Sequence, residues 1–400
     1  MANIKKLIAV SLLTIFNSAQ AAPTNEEIME MMHELKKELA ELRKENQKLK
    51  GEVEEVSIAT DEAIKSKILL TNKSTFGGYG EMHGNWLDDQ KGSADKDEVD
   101  FHRFVLFFNH EFSDRLRFVS ELELEHSIAG DGQNGEIELE QAYIEYDLTK
   151  NTSVLGGLFL LPLGLLNETH EPNTFYGVER NNVESYIIPS TWWEGGTMLS
   201  TNLTEGVNLK LAAHTALEAS DSTYSPKTAR QKGSQAPAEQ FAYTAALKYT
   251  AIPGLTIGAG LNYQTDFQNS GSYSSDEAIL YEIHTDFSRG PIGLRALYAE
   301  WDIEGIGPKL VGADKQYGWF IEPSYKVFND QLGIFARYSM WDNSAGNNDN
   351  ADTEYTQTNI GFNWWIDPQV VVKLDYQSQS VGTAIVKELN GLNLGLGYSF

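Results

Sequence analysis

The sequence predicts an all-β protein, a 16-stranded antiparallel transmembrane β-barrel with an N-terminal coiled-coil helix. Three observations predict it. From Thr75 onward, apolar and polar residues alternate with period two over segments of about ten residues, as in strands that face lipid on one side and water on the other. The connections between these segments alternate strictly between short and long. No window holds a run of apolar residues long enough for a helical membrane span.

Composition narrows the function classes. The 400 residues include 57 acidic and 31 basic side chains, a formal charge of -26, which excludes sequence-independent binding to nucleic acid because that needs a basic surface. Cysteine is absent, which removes disulfide frameworks, thiolate-bound zinc, iron–sulfur clusters and cysteine nucleophiles. The 34 glycines against 11 prolines suit a β-rich chain.

Taken from the N-terminus, residues 1–21 read as a secretory signal peptide. Lys5 and Lys6 form its positive end, 7–16 its apolar core, and Ala19-Gln20-Ala21 a small-x-small cleavage site. Residues 22–56 read as a periplasmic coiled-coil stalk. Ile28, Leu35, Leu42, Leu49 and Val56 fall on heptad position d, and Met32, Leu39, Asn46 and Val53 on a. Glu38, Glu45 and Glu52 occupy g while Lys36, Arg43 and Lys50 occupy e, so parallel chains would pair Glu38 with Arg43 and Glu45 with Lys50. Asn46 in the seam sets register, and the heptad predicts self-association more firmly than it predicts number. Residues 57–74 form a linker and 75–400 the barrel.

Within the barrel the period is plain in several strands. Leu116, Phe118, Leu122 and Leu124 share one face opposite Arg117, Glu121 and Glu123, and Leu392, Leu394, Leu396, Tyr398 and Phe400 repeat the pattern. Short turns are expected at 113–114, 149–152, 204–206, 252–254, 289–291, 329–331 and 367–369. Long polar loops are expected at 87–97, 129–135, 162–193, 218–239, 268–276, 304–315, 343–354 and 381–388. Such sorting by length gives an even strand number with both chain ends on the short-turn side. In 136–148 the apolar residues change parity between Leu139 and Ala142, which a bulge near Glu140 reconciles.

Sixteen strands enclose too wide a space for side chains alone to fill, so a water-filled channel is expected. Its constriction is expected in the longest loop, where Glu168, His170, Glu171, Glu179, Arg180 and Glu184 stand. The inward strand faces contribute Arg103, Arg117, Glu121, Glu123, Arg295 and Arg337, among other charges. The acidic balance predicts mild cation preference. A sugar channel would instead use aromatics such as Tyr143, Phe335, Trp341 and Trp365.

Five segments carry a family resemblance: 157–164 (GLFLLPLG), 175–180 (FYGVER), 192–196 (WWEGG), 79–83 (YGEMH) and 141–146 (QAYIEY). Together they resemble the phosphate-selective porin O and P-type family. The resemblance spans the barrel and implies a trimeric channel in the outer membrane of a Gram-negative bacterium. The acidic loop departs from the Arg- and Lys-rich lining that phosphate preference implies.

No zinc helix, phosphate-binding glycine loop or Gly-x-Ser-x-Gly elbow occurs, so neither an enzyme nor a cofactor is expected. Three functions fit: a porin for passive diffusion of small hydrophilic solutes and ions, a channel specific for sugars or an anion such as phosphate, and a tether from the outer membrane to peptidoglycan. The expected partners are outer-membrane lipid, two further copies of the chain and, through the stalk in the tether reading, the cell wall.

Overall fold

A computed structural model describes residues 73–400 except 131, 221, 269–276, 347–351 and 383–386, together with scattered positions between 26 and 48. The signal peptide, most of the linker and the C-terminal end of the heptad run lie outside the described residues.

Sixteen strands follow one another among the described residues. They are β1 (Ser74–Asp89), β2 (Lys96–Ser113), β3 (Leu116–Glu125), β4 (Ile137–Asp147), β5 (Thr152–Leu160), β6 (Trp193–Thr204), β7 (Val207–Thr215) and β8 (Phe241–Ile252). The second half comprises β9 (Leu255–Gln264), β10 (Ala278–Arg289), β11 (Ile292–Ile303), β12 (Lys315–Val327), β13 (Leu332–Asp342), β14 (Tyr355–Asp367), β15 (Val370–Val381) and β16 (Leu389–Ser399). Each pairs antiparallel with its sequence neighbours, and β1 pairs with β16 to close the barrel. Closure removes the unpaired edge that hydrocarbon would not tolerate. Phe400 seals the seam: its N–H donates to the Gly78 carbonyl at 2.9 Å and its carbonyl accepts from Gly78 at 3.1 Å.

The outward faces are apolar. Phe108, Ile144, Leu211, Leu247, Ile283, Ile334, Ile360 and Leu394 all stand exposed on successive sectors of the wall, Ile360 at 61 %. A soluble barrel would not expose such a belt, whereas lipid covers it. Tyr146, Tyr325 and Trp364 sit exposed near the short-turn end, where ring and polar edge meet the membrane interface.

The parity change in β4 is a bulge. Glu121 faces Gln141 and Leu122 faces Leu139, so Glu140 is the extra residue. At Gly157 in β5 the backbone adopts φ +140°, and a Cβ there would lie 2.3 Å from the Ala142 carbonyl oxygen. Gly157→Val therefore adds both strain and a backbone clash where β5 faces Tyr143. The expected loss is about 2–4 kcal/mol, seen as a lower temperature for conversion of the folded band on unheated gels.

Residues 1–72 form a unit separate from residues 73–400. Its described positions are helical and exposed, including Met32, Leu39 and Leu42 of the heptad seam.

Candidate functional site

The longest connection, residues 161–192 between β5 and β6, lies inside the barrel. Its apolar residues explain why. Leu161, Leu163, Val183, Ile187, Ile188 and Trp192 form one buried cluster with Leu280, Leu297, Trp301, Phe320 and Trp341 from the inward faces of β10–β13. Burying that much apolar surface holds the loop against one side of the lumen. Trp301 adds a hydrogen bond, Nε1–H to the Ile187 carbonyl at 2.9 Å.

Two polar side chains shape the loop. Asn167 closes its neck: Nδ2 donates to the carbonyls of Leu161 (2.7 Å) and Trp192 (2.8 Å), and Oδ1 accepts from the Trp192 N–H (2.6 Å). Glu184, in the one-turn helix Val183–Tyr186, accepts from the N–H groups of Leu165 (2.5 Å) and Leu166 (2.7 Å) and from Asn181 Nδ2 (2.8 Å). Burial pushes the Glu184 carboxyl above its ordinary pKa although these bonds oppose it.

The other loop residues singled out in the sequence are mostly tied to the wall. Glu168 accepts from Lys210 Nζ at 2.5 Å. His170 is buried with Nε2 3.4 Å from both Glu121 and Glu140. Burial alone would lower its pKa, but the two carboxylates outweigh burial and hold it up at about 10. Glu179 lies 3.2 Å from His83 Nδ1 and accepts from Asn85 Nδ2 at 3.1 Å. Burial would raise Glu179, yet His83 brings it well below the usual carboxylate range. The Glu171 carbonyl accepts from Thr174, while its Oε2 is buried without a hydrogen bond. Arg180 donates from Nη1 to Thr191 Oγ1 at 3.0 Å, and its Nε and Nη2 are buried without hydrogen-bond partners.

The inward strand charges are paired as well. Arg103 meets Glu81 at 2.7 Å and Glu123 at 3.7 Å. Arg117 meets Glu145 and Asp147, each at 2.9 Å. Arg295 binds Asp286 (3.0 Å) and the loop carbonyl of Thr174 (2.9 Å). Arg337 binds Glu322 (3.2 Å) and the loop carbonyls of Tyr176 (3.2 Å) and Glu179 (3.1 Å). Glu121 takes a 2.6 Å bond from Gln141. The aromatic candidates serve the loop: Phe335 stacks on Tyr176, whose edge meets Trp365, and Trp341 stacks on Tyr186.

The next loop, between β7 and β8, also packs inward and was missed as part of the site. Its signal was a local basic run, Lys227, Arg230 and Lys232, in an otherwise acidic chain. Arg230 donates from Nη1 to the Thr191 carbonyl and from Nε to the Lys227 carbonyl (2.9 Å). Lys227 donates to Ser185 Oγ at 3.0 Å and sits over the Tyr186 ring. Burial, with repulsion from Arg230 and Arg180, lowers the Lys227 pKa. Burial likewise lowers Arg180 and Arg230 from their ordinary values. Lys232 instead pairs with Glu138.

Beside the apolar cluster, with Trp341 common to both, lies a cavity of about 570 Å³, lined by both loops and by strands including β1, β2, β4, β14 and β15. Arg180, Lys227 and Arg230 line it. The arrangement is a wide barrel narrowed by an inward loop with an apolar wedge, with a polar, charge-lined space left beside it.

The comparisons with known proteins agree with that architecture. An uncharacterized protein of Aquifex aeolicus (strain VF5) is 27% identical over 350 residues, 78% of this chain and 77% of that one. The outer membrane channel DcaP of Acinetobacter baumannii superposes with a TM-score of 0.59 at 16% identity, over 82% of this chain and 97% of its own. An anion-selective porin from Comamonas acidovorans gives 0.59 at 12% identity, over 82% and 99%. The outer membrane protein OmpT of Vibrio cholerae, in a trimer form, gives 0.54 at 12%, over 82% and 99%. The family model for phosphate-selective porin O and P matches residues 76–383, most of the closed barrel with its inward loops, and the chain belongs to that family of outer-membrane porins.

Proposed function

We propose that this porin passes small hydrophilic solutes and ions by passive diffusion and favours anions over cations. The observation that carries the preference is that three cations lining the cavity bind hydroxyl and carbonyl oxygens rather than carboxylates: Arg180 and Arg230 at Thr191, and Lys227 at Ser185. The expectation of cation preference counted formal charges in the loop. Glu168 and Glu179 are instead paired with Lys210 and His83, and Glu184 is buried and bound to backbone N–H groups. Glu81, Glu125, Glu138, Glu140 and Glu179 also line the cavity, so the proposed preference rests on the loop cations Arg180, Lys227 and Arg230 and not on the lining as a whole. Likeness to an anion-selective porin supports the same reading.

A sugar-specific channel has less support, because Phe335, Trp341 and Trp365 are covered by loop aromatics. The proposed assembly is a homotrimer, supported by the trimeric form of a structural neighbour. The proposed place for the heptad segment is a periplasmic stalk. The exposed Met32, Leu39 and Leu42 support self-association there, and contact with peptidoglycan would follow from that position.

Reversal potential in planar bilayers under a KCl gradient tests the preference. The expected sign is that of chloride; a potential with the sign of potassium would reject it.

A further inference from the structure

We propose that Glu121, Glu140 and His170 form a binding site for a divalent transition-metal cation of the zinc type, which fastens the inward loop to the barrel wall. The three groups come from β3, β4 and the loop, and each residue is at least nine-tenths buried. Their facing atoms, Glu121 Oε1, Glu140 Oε2 and His170 Nε2, have no hydrogen-bond partner. All lie within 4.8 Å of one another.

The geometry fits a metal better than it fits a hydrogen-bonded latch. Both imidazole-to-carboxylate distances are 3.4 Å. That is long for a charge-assisted hydrogen bond, which runs at about 2.7–2.9 Å. It matches the edge of a tetrahedron around zinc: ligands about 2.0–2.2 Å from the ion stand roughly 3.3–3.6 Å apart. The remaining edge, between the carboxylates, is free to adjust because terminal carboxylate torsions are broad.

The outer contacts also suit ligation. His170 Nδ1 lies 3.2 Å from the Asn167 carbonyl, so an Nδ1–H donor there aims Nε2 at the carboxylates, where a metal would take the place of its proton. The other oxygen of Glu121 is held by Gln141 at 2.6 Å. Tyr79 meets the His170 ring edge-on, at 6.0 Å between centroids, and closes the site toward β1.

The bulge in β4 supplies the third ligand. Register skips Glu140, so Glu140 and Gln141 both turn to the lumen, where a regular strand would send one of them to lipid. A bulge that adds a second buried carboxylate beside Glu121 sets two carboxylates against one imidazole, a negative excess that a divalent ion would cancel. Two carboxylates and a neutral imidazole around a divalent ion leave the site without net charge. The donor set, oxygen and imidazole nitrogen with no sulfur, suits zinc, manganese or iron(II).

The test uses the mature full-length chain, folded in detergent, stripped with EDTA and titrated with zinc chloride. The expected result is one zinc per chain with a dissociation constant of about 10 μM or tighter. Glu140→Gln should weaken it about 100-fold, with the barrel still migrating as folded. A second cluster, Asp100, His102 and His126, lies elsewhere on the chain, with Asp100 already bound to both imidazoles. Asp100→Asn should therefore leave the zinc in place. Anomalous diffraction at the zinc edge of the unmutated protein gives a readout independent of any variant, and the expected peak lies between the three side chains. Folded protein that takes up no zinc at about 1 mM, zinc lost on Asp100→Asn but kept on Glu140→Gln, or a peak elsewhere would each overturn the proposal and leave His170 as an ion-pair latch.

Discussion

Glu184→Ala is expected to raise single-channel conductance and open-channel noise several-fold while the barrel stays folded. Glu184 is fully buried and serves Leu165, Leu166 and Asn181 at once. Truncation leaves two backbone N–H groups and an amide without an acceptor, in a space water does not readily fill. Each neutral donor left buried without an acceptor costs about 1–3 kcal/mol, a loss that loosens the loop at its neck. The loss falls on the loop and not on the wall, because strand pairing from β1 to β16 runs through backbone ladders that Glu184 does not touch. Glu184→Gln should fall between. Its one carbonyl oxygen can still accept from Leu165 and Leu166, but its amide then faces Asn181 Nδ2. Asn181 cannot flip to help without losing the 2.9 Å bond its Oδ1 accepts from the Glu184 N–H. Conductance unchanged in both variants would mean that the apolar wedge alone seats the loop.

The barrel was legible because a lipid-facing wall imposes period two on every strand and sorts its connections by length. Even the β4 bulge showed, as a change of parity between Leu139 and Ala142. The wedge was not legible for a related reason. Leu280, Leu297, Trp301 and Phe320 are apolar on the inward face, so their strands carry large apolar side chains on both sides and the alternation there loses its meaning. Charge was harder still. Glu168 and Lys210 are distant in sequence and only the fold brings them together. His83 and Glu179 lie farther apart again. On the proposed reading, a count of acidic residues in the loop measures how the loop is fastened rather than what a permeating ion meets. The basic run at Lys227 and Arg230 was visible, but nothing in the chain marks a polar loop as folding inward.

Removing Lys227 and Arg230 together, as Lys227→Met with Arg230→Met, is expected to lower the anion-to-cation permeability ratio by about an order of magnitude. A unit charge roughly 7 Å from a permeating ion, at an effective dielectric of about 40–80, contributes about 0.6–1.2 kcal/mol. Two such charges amount to about 1.2–2.4 kcal/mol, roughly an eight- to sixtyfold change on the anion side alone. The pH profile separates the residues. Burial and the neighbouring guanidinium groups lower the Lys227 pKa from its ordinary 10.5, so its charge is lost earlier than that of a free lysine as pH rises. Anion preference should therefore decline on the alkaline side before pH 10.5 is reached, while the guanidinium groups stay charged. The sign for stability is the matching one: the native state holds this proton less tightly than the unfolded chain, so deprotonation favours the folded loop and the decline is not unfolding. Lys227→Arg should keep the preference and flatten its pH dependence, since a guanidinium cannot be deprotonated in this range. A double variant with unchanged reversal potential would move the selective charge away from Thr191, onto the paired arginines of the wall, where the ion pairs argue against it.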